Sequence, residues 1–172
     1  MPVNRFLFLD LDGVVNSARY FADLKARMEA HKTTCGDKEE RLRHQVDPDA
    51  TFHLSEIVRR SGAKIVISSS WRLVQTLDAI KTALRDRGFE YASSVIGKTP
   101  YSAVGDSTNR RGIEIQNWLV AEENLSDEPR RIVILDDDRD MGPLLPHLVK
   151  TTWQDGLLAE HVPAALKILG VE

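Results

Sequence analysis

A single cysteine, Cys35, stands in this chain of 172 residues, so no internal disulfide can form, and its polar surroundings offer no thiolate metal cluster. Long apolar runs are missing as well. Nothing approaches membrane-spanning length, and only four strongly apolar residues precede Asp10, too few for a secretory signal. A cytoplasmic setting and no membrane partner are therefore expected. Nor is there a large charge of one sign. Twenty-three Lys and Arg against 26 Asp and Glu leave a net charge of -3, which argues against coating nucleic acid by charge alone but leaves room for a local basic groove. Internal repeats and low-complexity segments are absent too. What remains is an ordinary soluble composition, 42% hydrophobic and 28% charged, at a length that suits one domain, 1–172, with its own core.

Along the chain, β-branched apolar runs alternate with helical patterns. Strands are expected at 5–9, 64–68, 94–96, 131–135 and 148–151, and helices at 18–31, 48–61, 71–87, 111–124 and 159–169. Asp47-Pro48 reads as a cap followed by proline at the first helical position, and Gly62 and Gly88 read as helix stops. Such alternation predicts an α/β, Rossmann-like architecture with a mostly parallel sheet flanked by helices, whose ligands gather at the carboxyl ends of the strands. The segment 17–49 mixes both charge signs and is too short for a domain. It reads as a helix plus a mobile loop, either a solvated excursion or a lid facing the substrate.

Three clusters fall at those strand ends. Asp10 and Asp12 flank Leu11 where Phe6-Leu7-Phe8-Leu9 stops, with Gly13 next. Residues two apart in an extended chain point the same way, so both carboxylates are expected to face one spot, where they need a cation, a shared proton or water. Turn formation alone would be served by one aspartate; two suit a nucleophile and a proton carrier, with an aspartyl-phosphate splitting one displacement into two. Asp136-Asp137-Asp138 follows Ile132-Val133-Ile134-Leu135, and three consecutive acids call for something positive. Magnesium suits carboxylates with water, with Asp136 first and Asp137 second as ligands, while Asp138 and Asp140 face solvent or cap the next helical turn.

Ser68-Ser69-Ser70-Trp71-Arg72 ends the second strand. Ser70 reads as a helix cap, Ser69 as the phosphoryl contact with Ser68 close behind, and Arg72 either as a substrate contact or as a brace. A fixed positive charge is also needed at a phosphoryl site. Arg111 is the first candidate, with Arg110 and Lys98 as alternatives and Asp106 placed to orient the acting arginine. The five histidines show no ligand-like spacing, and Trp71, Trp118 and Trp153 read as packing residues.

Taken together, Asp10-Leu11-Asp12-Gly13-Val14 resembles the first motif of the haloacid dehalogenase superfamily, the strand-end serines its second, Arg111 or Arg110 its basic third, and Asp136-Asp137 its acidic fourth. The resemblance implies Asp10 as nucleophile, Asp12 as general acid and base, and magnesium held by Asp10, the backbone carbonyl of Asp12, and Asp136 or Asp137. Asp12 further implies phosphate transfer rather than carbon–halogen cleavage. The runs Ile67 through Arg72, Arg111 through Leu119 and Leu135 through Asp138 are similar to the small, minimally capped domains of RNA-repair proteins and, more distantly, to the phosphatase domain of polynucleotide kinase-phosphatase, though no kinase-like glycine-rich loop is present.

The expectation is thus a magnesium-dependent phosphatase acting on a phosphorylated substrate such as a nucleic-acid end or a nucleotide, with no obligatory protein partner. The rivals are a non-catalytic phosphate- or partner-binding relative, a receiver domain and a metal-dependent nuclease. In a receiver the acidic pair precedes the phosphate acceptor, whereas here the doublet comes last.

Overall fold

The computed structural model describes residues 3–34, 36–123 and 130–171. Five strands form one sheet: β1 (Asn4–Leu9), β2 (Lys64–Ile67), β3 (Val95–Lys98), β4 (Arg130–Asp136) and β5 (Leu148–Lys150), in the order β3-β2-β1-β4-β5 and all parallel. The two longest, β1 and β4, lie side by side at its centre, with Leu9 opposite Leu135.

Alternation along β1 divides the core. Leu7 and Leu9 face one layer with Ile65, Ile67, Val133 and Leu135, covered by α3 (Pro48–Ser61) and α6 (His161–Ile168). Phe6 and Phe8 face the other with Val66, Ile132 and Ile134, covered by α5 (Arg110–Glu123) through Ile115 and Trp118. Trp118 meets both phenylalanines edge-on, at 5.1 and 5.5 Å between ring centroids. Two covered faces explain why these strands are near-continuous apolar runs.

Local signals place several ends. The Asp47 side chain accepts from Asp49 N ahead of Pro48, and Gly62 closes α3 in the left-handed region. The segment 17–49 holds two helices where one helix and a loop are expected: α1 (Ala18–His31), capped by Ser17, and α2 (Lys38–His44), capped by Asp37. Only Leu42 of α2 is buried, so no apolar period announces it.

A larger correction concerns the expected helix 71–87. It divides into a 3-10 turn, Ser70–Leu73, and α4 (Leu77–Asp86), because the Thr76 side chain accepts from Ala79 N and starts a new helix. The cap of the turn is Ser69 rather than Ser70; its hydroxyl accepts from Trp71 N, and Ser70 is exposed. The expected end of α5 at Asn124 lies outside the described residues. Among the described residues no helix is long and apolar enough to cross a membrane.

Candidate active site

The face that carries Phe6 and Phe8 carries the chemistry. Asp10 is the next residue of that face beyond Phe8, and Asp136 the next beyond Ile134. Leu9 pairs with Leu135, and Asp10 N donates to Leu135 O at 3.0 Å, so the two carboxylates emerge side by side. Asp137 joins them: one ligand atom from each of Asp10, Asp136 and Asp137 lies within 4.8 Å of the others.

Three acids this close, two of them buried, repel. Burial first, then the Asp10 charge, pushes the Asp136 carboxyl up to about 7, and burial likewise raises Asp10 and Asp137. Arg111 answers part of this charge. It is the second residue of α5, and four residues on Ile115 packs against the sheet, so the helix period turns Arg111 toward the acids. Its Nε lies 3.4 Å from Asp136 Oδ2, near enough to pair as charges without hydrogen-bond geometry, and neither atom has another partner among the described residues. Burial works against the Arg111 charge, but Asp10, Asp136 and Asp140 outweigh it and hold the guanidinium ionised.

Two glycines permit this approach. Gly13 sits at φ +71°, and a Cβ there would collide with the Asp137 carboxylate. Gly112 lets α5 lie against the backbone of Met141, where a Cβ would strike the Met141 carbonyl. Asp140 caps the start of α5, with Arg111 N donating to its Oδ2 at 3.0 Å; it serves the preceding helix, not the following turn expected for it. Asp138 is exposed.

Asp12 does not join the cluster through its carboxylate. The chain leaves the extended conformation after Leu11, with Val14 N and Val15 N both donating to Leu11 O, so the two-residue alternation ends. Two donors hold the Asp12 carboxylate instead: Trp71 Nε1 at 3.0 Å to Oδ2 and Asn16 Nδ2 at 2.9 Å to Oδ1. Neither Trp71, read from sequence as packing, nor Asn16 is foreseen in this role. The signal that could have found Trp71 is its place beside the strand-end serines, where a buried indole N–H needs an acceptor.

The second-strand serines differ. The Ser69 hydroxyl accepts from Trp71 N and favours the ionised Asp10 carboxyl, whereas Ser68 Oγ, on the Val66 side of β2, is buried with no partner among the described residues. Ser68 therefore holds the free hydroxyl of the pair.

Arg72, Arg110, Lys98 and Asp106 make other contacts. Arg72 makes the contacts of a brace: it is buried, donating from Nε to Thr99 O and from Nη1 to Ser68 O and Ser69 O, with Nη2 paired to Glu114 at 2.5 Å. Arg110, exposed at the helix start, donates to Gly105 O instead of reaching the acids. One residue along a helix is a turn of about 100°, and only Arg111 shares the inward face. Lys98 donates to Arg72 O, and the Asp106 carboxylate accepts from Thr108 rather than orienting an arginine.

A central parallel sheet with a nucleophile-like aspartate after β1, a hydroxyl after β2, a cation at the start of α5 and acids after β4 defines the haloacid dehalogenase class. Residues 6–162 match the family described as the HAD domain in Swiss Army Knife RNA repair proteins, and the chain belongs to that family. No curated protein and no solved structure shows significant similarity to it.

The donor set fits a small divalent cation. Three clustered carboxylates, all raised by burial and one with a buried oxygen that no hydrogen bond satisfies, match the oxygen-rich environment magnesium takes.

Proposed function

We propose that this chain hydrolyses phosphomonoesters with magnesium, through an aspartyl-phosphate on Asp10. The observation that carries the reading is the gathering of Asp10, Asp136 and Asp137 beside Arg111, with Asp12 held just outside by two donors. In the first step an Asp10 oxygen forms a bond to phosphorus as the ester P–O bond breaks, and Asp12 gives its proton to the leaving oxygen. In the second, water attacks phosphorus and yields its proton to Asp12, returning the Asp10 carboxylate and inorganic phosphate. Arg111 and the free hydroxyl of Ser68 face the phosphoryl oxygens. Asp10, Asp136, Asp137 and the Asp12 carbonyl would hold the magnesium, which neutralises charge on the phosphoryl group.

The substrate reading is a phosphorylated nucleic-acid end or a nucleotide. The family's description as a domain of RNA repair proteins supports it. So does the rim: Tyr101 and Trp153, 63% and 48% exposed, follow the carboxyl ends of β3 and β5, and the 17–49 segment adds two short helices rather than a separate cap domain.

Phosphate release from a generic aryl phosphate, measured with magnesium and with EDTA, tests the chemistry. Turnover is expected only with the metal, and Asp10→Asn is expected to abolish it; an active Asp10→Asn enzyme overturns the mechanism. RNA and DNA bearing 3′- or 5′-phosphates, compared with nucleotides and sugar phosphates, test the substrate class.

A further inference from the structure

We infer that Trp71 is a positioning residue for proton transfer, acting through Asp12; this rests on the phosphatase reading above. The indole Nε1–H donates to Asp12 Oδ2 at 3.0 Å from a ring buried in the main core, while Asn16 donates to Oδ1 at 2.9 Å and accepts Gly13 N at 3.0 Å. Asp12 is thus clamped between a core residue and its own turn, and needs the clamp because it lies past the end of the strand, where no ladder hydrogen bond orients it.

Trp71 is itself fixed from both ends. Its backbone N–H donates to the Ser69 hydroxyl, and the neighbouring Arg72 guanidinium ties the Ser68 and Ser69 carbonyls to Glu114. One short, braced segment after β2 therefore sets the proton carrier through the indole. A phenylalanine would fill most of the ring space but hold no proton for Asp12. The remaining Asn16 contact would leave the carboxyl free to swing about its χ angles, and proton delivery to the leaving oxygen depends on its position within hydrogen-bond reach.

The consequence is selective. An alkyl phosphate needs the proton as its P–O bond breaks, whereas an activated aryl phosphate, with a good leaving group, forms the aspartyl-phosphate without it. Trp71→Phe is expected to lose about ten- to a hundredfold in kcat on an alkyl phosphate, a part of the usual general-acid contribution, with KM changed little. On an activated aryl phosphate the first step is expected to survive, seen as a burst of aryl alcohol followed by slow release of phosphate.

A double-mutant cycle isolates the route. In an Asp12→Asn background, Trp71→Phe is expected to slow aryl-alcohol release less than twofold further, because the indole then has no acid to position. Independently of turnover and of metal, the Trp71 indole N–H proton resonance, assigned by its loss in Trp71→Phe, is expected to move upfield in Asp12→Ala. A Trp71→Phe defect in the first, bond-breaking step that is equal on both leaving groups, or undiminished in the Asp12→Asn background, overturns the inference and makes Trp71 a packing residue. An unmoved indole resonance does the same. A wild-type chain inactive on both phosphates, or an active Asp10→Asn, overturns the phosphatase reading and this inference with it.

Discussion

Arg72 and Glu114 close a buried ion pair, Nη2 to Oε2 at 2.5 Å, with both side chains 4% exposed. Glu114 also accepts Ser102 N, while Arg72 collects the carbonyls of Ser68, Ser69 and Thr99. The pair thus ties the carboxyl ends of β2 and β3 to the helix that begins with Arg110 and Arg111. Burial lowers the Arg72 guanidinium and Glu114 opposes that shift. Removing one member strands the other, at a cost of about 3–5 kcal/mol. Glu114→Gln and Arg72→Met are each expected to lower the unfolding free energy by that order, and the double variant to recover part of the loss. Equal additive losses in chemical denaturation would show that the two residues act independently.

The adjacent arginines should separate sharply. Arg111 lies 3.4 Å from Asp136 and is held charged by Asp10, Asp136 and Asp140, whereas Arg110 reaches only a loop carbonyl. Arg111→Ala is expected to reduce kcat by about 10²- to 10³-fold, the usual effect of losing one stabiliser of developing charge. Arg110→Ala is expected to stay within about threefold of wild type, because an exposed charge is screened by solvent. Steady-state kinetics on an aryl phosphate decides it, and a larger loss for Arg110→Ala would reverse the assignment.

The alternation Phe6-Leu7-Phe8-Leu9 was enough to place β1 between two covered faces, and its end placed Asp10; the same logic placed Asp136. The choice between Arg110 and Arg111 stayed open in the sequence, because a helix start can aim either residue inward; only the packing of Ile115 and Trp118 on the sheet fixes which face of α5 turns in. Asp12 departs from the extended-chain alternation because a turn begins after Leu11 that apolar periodicity does not mark. Trp71 and Arg72 were opaque for a different reason. Their partners, Asp12 and Glu114, are 59 and 42 residues away in sequence, and only the closed sheet brings them together. The break before α4 turned on Thr76, an N-cap hidden inside an otherwise helical stretch.

Magnesium should stabilise the protein in a pH-dependent way. Asp136 is pushed up to about 7 and Asp10 is raised, both chiefly by burial, so the metal-free folded state holds protons that the unfolded chain releases near 3.8. A raised carboxyl gives stability that is full below the unfolded value and is lost as pH rises through the folded one. Over the window from about 4 to about 7 the metal-free protein therefore loses this contribution. Magnesium requires the ionised carboxylates, so its binding competes with protons. Thermal denaturation in EDTA and in excess magnesium should show a larger metal-induced rise in Tm at pH 8 than at pH 5.5. An equal or larger rise at pH 5.5 would place the metal away from these acids.

Asp10→Asn should divide stability from activity. Burial is the largest influence on Asp10 and opposes its charge, with Arg111 the main compensation. An amide of the same shape removes the buried charge and its repulsion of Asp136. In EDTA at pH 8 the variant is expected to unfold a few degrees above wild type, since about 1 kcal/mol shifts a domain of this size by roughly 2–4 °C. Magnesium should then raise its Tm less than it raises that of wild type, because one ligand has lost its charge. Turnover should vanish, since an amide cannot form the aspartyl-phosphate. A less stable Asp10→Asn in EDTA would mean that the Arg111 attraction outweighs the burial cost, and that the acids are already neutralised without a metal.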